Sequence, residues 1–401
     1  MVLLASRVNR IKPSPSSMAG QRARELRATG RDIVGLTAGE PDFDTPDNVT
    51  EAVIRAMSAS RTKYTDVGGT PDLKTAIGEK FRRDNGLDYA PGEIIASNGG
   101  KQIIFNALMC TVEAEGEVIV PAPYWVSYPD IVLLAGGVPV IVPTTVERGF
   151  KLQPADLEKA ITPRTRWLVI NAPNNPSGAT YTREELLGLA EVLRRHPHVW
   201  IMTDDIYEHI LYDGRSFVTM AQAAPDLKSR TLTMNGVSKA YAMTGWRIGY
   251  AGAPAELVKA MTKLQSQSTS NPSSISQAAA QEALSGPQAV VAERTRVFQH
   301  RRDALVAWLN AMPGITCHVP EGAFYVFPSC AGLLGRKTPA GKVLETDEDF
   351  IMYLLDEENL AVLQGAAYGV SPFFRMSFAT SMANIEEGCE RLRRACEKLW
   401  D

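Results

Sequence analysis

Thr231-Leu232-Thr233-Met234-Asn235-Gly236-Val237-Ser238-Lys239, continuing through Ala240-Tyr241-Ala242-Met243-Thr244-Gly245-Trp246-Arg247-Ile248-Gly249-Tyr250, is the stretch on which the reading of this chain turns. Residues 231–235 read as a short buried strand, and Gly236 starts the turn that ends it. A lysine just past a buried strand is badly placed for a solvated charge. It suits an amine that has lost water and proton affinity together, which is what bond formation to a carbonyl needs. Arg247 brings a permanent cation back to the same neighbourhood, and Ile248–Ala251 reads as a second strand.

Working outward, the same pattern repeats. Short apolar runs at Ile94–Ser97, Glu117–Val120, Val138–Val142, Trp167–Asn171 and Val199–Thr203 predict further strands. Helical periods at Gln102–Val112, Trp125–Leu134 and Arg183–Arg195 lie between them. Strands buried on both faces and joined by helical crossovers make an α/β domain with a largely parallel sheet, here of seven strands. Helix is also expected over Ser17–Thr29, and from Ala255 to Asn310 with breaks near Asn271-Pro272 and Gly286-Pro287. Beyond Gly314, runs at Ala323–Phe327, Ala361–Leu363 and Phe374–Ser377 with two closing helices predict a smaller α+β domain. The expected division is 1–45 as an N-terminal segment joining the small domain, 46–290 as the large domain and 291–401 as the small one.

A length of 401 residues is ample for two such cores. Net charge is -3, with no basic excess to draw nucleic acid and no acidic tail. The five cysteines, Cys110, Cys317, Cys330, Cys389 and Cys396, are scattered without a CxxC pair, which argues against a disulfide frame or a zinc site. The apolar start Met1–Ala5 is too short for a signal peptide, and no apolar run is long enough to span a bilayer. The expectation is a cytoplasmic protein with small-molecule partners, no metal, no membrane and no nucleic acid.

Ligands of open α/β sheets collect at the carboxyl ends of the strands, so the residues following each run matter most. After Ile94–Ser97 come Gly99, Gly100 and Lys101 at a helix start, which suits a phosphate. After Glu117–Val120 comes Trp125, able to lie on a flat ring. After Trp167–Asn171 comes Asn175, an amide donor in a turn-rich loop, and after Val199–Thr203 come Asp204 and Tyr207. Taken singly, each has an ordinary explanation: turn geometry, core packing or an exposed turn carboxylate. Taken together with Lys239 and Arg247, they describe one ligand. It has a phosphate, an aromatic ring, a phenolate, a ring nitrogen that must stay protonated, and an aldehyde, which is pyridoxal 5'-phosphate.

At this point the chain resembles the class I aminotransferases of the aspartate aminotransferase family, fold type I. The resemblance rests on Leu36-Thr37-Ala38-Gly39-Glu40-Pro41-Asp42-Phe43, Lys63-Tyr64, Gly99-Gly100-Lys101-Gln102, Pro123-Tyr124-Trp125-Val126-Ser127-Tyr128-Pro129 and Asn174-Asn175-Pro176-Ser177-Gly178. It continues in Asp204-Asp205-Ile206-Tyr207-Glu208-His209, in Ser238-Lys239 through Gly249, and in Phe374-Arg375-Met376-Ser377-Phe378-Ala379. These motifs look most like the bacterial aspartate (aspartate/prephenate) branch. The resemblance implies that Lys239 bonds to the cofactor aldehyde, Asp204 pairs with the ring nitrogen, and Tyr207 and Asn175 donate to the ring oxygen. It implies that Trp125 stacks on the ring, and that Gly99, Gly100, Lys101 and Arg247 hold the phosphate. Tyr64 would reach the phosphate of a neighbouring subunit, which implies a homodimer with shared sites. Gly39 and Arg375 would hold the substrate α-carboxylate, with Trp125 and Asn175 also facing the substrate.

The implied reaction moves an amino group from an amino acid, foremost L-aspartate or L-glutamate, to 2-oxoglutarate or oxaloacetate. Lys101 is the first candidate for the distal carboxylate and Lys12 the second. Many relatives carry a serine three residues before the lysine, where this chain has Gly236, and Ser238 is the nearest hydroxyl. The rival readings are an aminotransferase for aromatic amino acids, alanine or prephenate, and a β-lyase on the same cofactor. A regulatory binding protein is disfavoured by the lack of a basic DNA-binding segment. A nicotinamide enzyme is disfavoured by the lack of GxGxxG.

Overall fold

The computed structural model describes residues 3–13 and 15–400; Met1 and Val2 of the apolar start lie outside them. Its strands are β1 (Val34–Gly35), β2 (Ile94–Ser97), β3 (Glu117–Ala122), β4 (Val138–Pro143), β5 (Thr165–Asn171), β6 (Trp200–Asp204), β7 (Thr231–Gly236), β8 (Gly249–Gly252), β9 (Tyr325–Val326), β10 (Leu360–Ala361), β11 (Leu363–Gln364) and β12 (Phe374–Ser377). Strands β2 to β8 form one seven-stranded sheet in the order β2-β8-β7-β6-β5-β3-β4. Only β8 runs antiparallel to its neighbours, β2 and β7. All seven sheet strands read from the sequence are present, and the sheet is mostly parallel as expected.

The sheet is sandwiched by helices because most of its strands are buried on both faces. β2, β7 and β8 are buried at every position. The flanking helices carry their own start signals. Thr182 accepts from Glu185 N–H, and the Glu185 carboxylate returns a contact to the Thr182 N–H, closing a capping box on Arg183–Arg195. Thr70 caps Pro71–Asn85, a helix with proline in its first turn, and Gly86 ends it in the left-handed conformation. That helix and Asp47–Ser58 were not anticipated; both pack on Ser274–Ser285.

One expectation fails in detail. β4 is not buried on both faces: Val138 and Ile141 are exposed. It is an edge strand, and Pro139 and Pro143 lack N–H groups that could otherwise template a further strand.

A second apolar core lies outside this sheet. It gathers the helix Ala289–Asn310, the three-stranded sheet β11-β12-β9, the helices Asp347–Glu358 and Met382–Glu397, and Val34 and Leu36 from the N-terminal side. β1 pairs in parallel with β10, tying residues 34–35 to residues 360–361. Tyr207, Ile210 and Tyr212 reach into the same core from the loop after β6, so the two cores meet beside the carboxyl ends of the large sheet.

Candidate active site

The carboxyl ends of β2, β3, β5, β6 and β7 open into one cavity of about 360 Å³. Its walls include Gly39, Gly100, Lys101, Trp125, Asn175, Asp204, Tyr207, Lys239, Arg247 and Arg375. Ten of the twelve residues singled out from the sequence therefore face one space. Gly99 borders it indirectly: its φ of +88° and a Cβ position only 2.5 Å from an Arg247 guanidinium nitrogen leave no place for a side chain. Tyr64 is 91% exposed and does not line the cavity of its own chain. Lys12 is likewise exposed and not part of the wall.

Lys239 sits on the turn after β7. Its Nζ donates to the Gly39 carbonyl at 2.5 Å and lies 5.8 Å from the Tyr207 ring centre. Burial lowers its pKa to about 8, helped by the nearby cations Arg375 and Arg247 and opposed by Glu40 and Asp204. Asp204 ends β6 and is fully enclosed. Burial raises its pKa to about 6, against hydrogen bonds from the Tyr128 hydroxyl at 2.5 Å and the Ile206 N–H at 3.4 Å and the charge of Lys239. This is an amine shifted down and a carboxylate shifted up in one cavity, so both sit closer to neutrality than on a surface.

Arg375, on β12, is 2% exposed. Its Nη1 donates to Asn175 Oδ1 at 3.0 Å and its Nη2 to the Thr37 carbonyl at 2.7 Å, while Nε has no hydrogen-bond partner. The guanidinium packs 4.4 Å from the Tyr325 ring centre and 5.3 Å from that of Tyr368. Such a group is fixed in direction with donor capacity in reserve, which suits a carboxylate. Arg247 lies at the other side of the cavity, next to Gly99 and the N–H groups opening the helix Gly100–Thr111. The Lys101 amine lies 4.9 Å from the Trp125 ring centre, an exposed lysine at the cavity's edge.

Gly236 has a steric reason. A Cβ there would come within 2.9 Å of Ile206 Cδ1 and 3.0 Å of the Ile248 carbonyl. No serine fits at that position without movement of its neighbours, and Ser238, two residues on, lines the cavity.

The structure adds groups that the sequence reading left without a role. Tyr128 holds Asp204. Asn171 donates to the Asp204 carbonyl and accepts from the Asn175 N–H. The Glu40 carboxylate accepts from the Thr244 hydroxyl at 2.7 Å across the cavity. Tyr325 meets Tyr207, hydroxyl to hydroxyl, at 2.9 Å. Behind Tyr207, the buried Lys80 forms an ion pair with Glu208, which also accepts from Asn85 at 2.7 Å. Burial alone would raise the Glu208 pKa, but Lys80 and His209 outweigh it and hold this carboxylate well below the usual range. Asp205, between these two carboxylates, is pushed well up by burial and by Glu208. Tyr128 and Glu40 stand inside quoted motifs, so their proximity to the site was signalled; Tyr325 had no local signal.

Residues 31–392 match the family model for aminotransferase class I and II. The chain belongs to this aminotransferase family. Aminotransferases similar to it over their whole length include an aspartate/prephenate aminotransferase of Cereibacter sphaeroides, 56% identical with all of both chains covered. A probable aspartate/prephenate aminotransferase of Rhizobium leguminosarum is 55% identical over 99% of each chain. Among solved structures, the aspartate aminotransferase of Rhizobium meliloti superposes with a TM-score of 0.98 at 55% identity, with full coverage of both. That of Thermus thermophilus with maleate superposes at 0.91 and 42% identity, covering 98% of this chain and 100% of that one. The aminotransferase fold expected from the motifs is therefore the fold observed, with its large mostly parallel sheet. Among the described residues, no helix is long and apolar enough to cross a membrane.

Proposed function

We propose that this aminotransferase holds pyridoxal 5'-phosphate in the cavity and moves the amino group of L-aspartate or L-glutamate to 2-oxoglutarate or oxaloacetate. The observation that carries this reading is the pairing of Lys239 and Asp204 in one enclosed space, flanked by Arg247 on one side and Arg375 on the other. When bound, the cofactor supplies a carbonyl that takes up amines and a protonated ring that accepts the electron pair left at the substrate Cα. The donor set fits it. Arg247 and the helix N–H groups after Gly99 suit its phosphate, and Trp125 suits its ring face. Tyr207 and Asn175 suit its phenolic oxygen.

The remaining work falls to the chain's own residues. Asp204 supplies the negative charge that keeps a ring nitrogen protonated, and Tyr128 and the Ile206 N–H hold that carboxylate in place. Arg375 clamps the substrate α-carboxylate and so fixes the Cα–H bond relative to Lys239. Lys239 Nζ takes the Cα proton as general base. Its pKa of about 8 makes the neutral amine far more abundant near neutral pH than in an ordinary lysine. The names of the relatives support aspartate as a substrate; the motif resemblance supports glutamate and Lys101 as the cation for the distal carboxylate. Aromatic, alanine or prephenate transfer is the neighbouring specificity.

The reading extends to a cytoplasmic homodimer in which Tyr64 serves the partner's site. Its 91% exposure in the single chain supports that role. A division at residues 45 and 290 is part of the same reading; the core of the small sheet, which also takes in Val34 and Leu36, supports the N-terminal segment's joining the small domain. The test is a half-reaction. L-aspartate added without an acceptor should convert the cofactor's absorbance to that of its amine form, one equivalent per chain, and 2-oxoglutarate should reverse it. Release of pyruvate and ammonia would instead identify a β-lyase.

A further inference from the structure

We propose that Tyr325 is a positioning residue that couples capture of the substrate carboxylate at Arg375 to the hydrogen-bonding strength of Tyr207. This rests on the cofactor reading above and deepens it.

Tyr325 lies on β9, fully buried, with Ser377 of β12 as its register partner. One side chain meets three parts of the site. Its ring lies 4.4 Å from the Arg375 guanidinium carbon. Its hydroxyl lies 2.9 Å from that of Tyr207. A Cβ placed on Gly39 would sit 3.7 Å from the same hydroxyl. Phe324 and Tyr325 both pack edge-on to the Tyr207 ring, at 5.4 and 5.9 Å, so Tyr207 has little freedom to turn away.

Proton counting sets the direction of the Tyr207–Tyr325 bond. A phenol has one hydrogen. For Tyr207 to donate into the cavity, it must accept from Tyr325, which therefore donates. A phenol that accepts a hydrogen bond becomes a stronger donor itself, because the two bonds polarise each other. Burial raises the Tyr325 pKa, and Arg375, a cation over its ring, opposes that rise and so strengthens the chain of bonds. A carboxylate bound to Arg375 neutralises that cation and weakens the chain. Substrate arrival is thereby felt at the oxygen to which Tyr207 donates, with no movement of backbone required.

The experiment uses the cofactor-loaded protein, with Tyr325→Phe and Tyr325→Leu beside the wild type. Absorbance of the bound cofactor is titrated against pH, and binding of maleate, as a simple dicarboxylate, is measured on the same samples. Tyr325→Phe keeps the ring and loses only the hydroxyl. Its absorbance midpoint is expected to rise by about half a unit to one unit, since one donor to an anionic oxygen has been weakened. Its maleate affinity is expected to stay within about twofold. Tyr325→Leu is expected to show the same rise and also to bind maleate about fivefold more weakly, through loss of the ring under Arg375. In the wild type, saturating maleate is expected to raise the midpoint, and by less in Tyr325→Phe. An unchanged midpoint in Tyr325→Phe overturns the proposal, as does a loss of maleate affinity equal to that of the leucine variant. A wild-type protein that takes up no cofactor absorbance at all would overturn the cofactor reading itself, and this inference with it.

Discussion

The two sides of the cavity are built differently. Around Asp204, Tyr207 and Arg375, every polar group is enclosed and nearly every one is held by another: Asp204 by Tyr128, Tyr207 by Tyr325, Arg375 by Asn175 and Thr37. At the cavity's edge Lys101 is exposed, as are Lys12 and Tyr64 outside its wall. Enclosed, mutually held groups set the kind of chemistry, because their pKa values and directions are fixed by the fold. Exposed groups tune which substrate is taken, since a charge in water discriminates weakly. The contrast explains why the reaction class follows firmly from this chain while the distal specificity hangs on a single lysine.

Substitutions on the two sides should differ in size accordingly. Lys239→Ala removes the amine beside Gly39 and Tyr207 and is expected to reduce transamination at least about a thousandfold, read as single-turnover rate with L-aspartate. Lys80→Met takes the lysine charge from Glu208 behind Tyr207 and leaves this buried carboxylate with Asn85 and His209 as its partners. It is expected to cost roughly 3–5 kcal/mol of stability, measurable by denaturant unfolding of the apo protein. A loss below about 1 kcal/mol would mean that the pair is not enclosed as described. Arg375→Ala should lower kcat/KM for L-aspartate by about a hundredfold through loss of two charge-assisted hydrogen bonds. Lys101→Ala, on the exposed side, should weaken L-aspartate use by about tenfold or less and leave aromatic amino acids nearly unaffected. Equal losses for both substrates would remove Lys101 from the specificity role.

The pH dependence of cofactor capture sharpens the same contrast. Only the neutral amine attacks an aldehyde, and the Lys239 amine is neutral above its pKa. Capture of pyridoxal phosphate by the apo protein should therefore speed up as pH rises through about 8 and then level off. A midpoint near that of an ordinary lysine, about 10.4, would mean that the site does not strip water from the amine.

How far the sequence carried the reading follows from the range of the forces involved. Strands were legible because near-continuous apolar runs are a local signal, and the observed bounds agree within one or two residues at β2, β7 and β8. The exposure of β4 was not, since an edge position depends on the order in which strands assemble. In the site, Lys239, Asp204 and Asn175 were visible because they follow buried strands. Tyr325 was not, because its partner Tyr207 lies 118 residues away and the two meet only when the small sheet packs on the large one. Gly236 was noticed as a departure, but its cause, the closeness of Ile206 and Ile248, is tertiary.

The central claim is that Lys239 is the residue to which the cofactor bonds. Loading the protein with pyridoxal phosphate, reducing it with borohydride and mapping the modified peptide tests this directly. The expected result is one cofactor per chain, fixed to Lys239, and no stable label in Lys239→Ala. Label on Lys101 or another lysine, or none in the wild type, would contradict it.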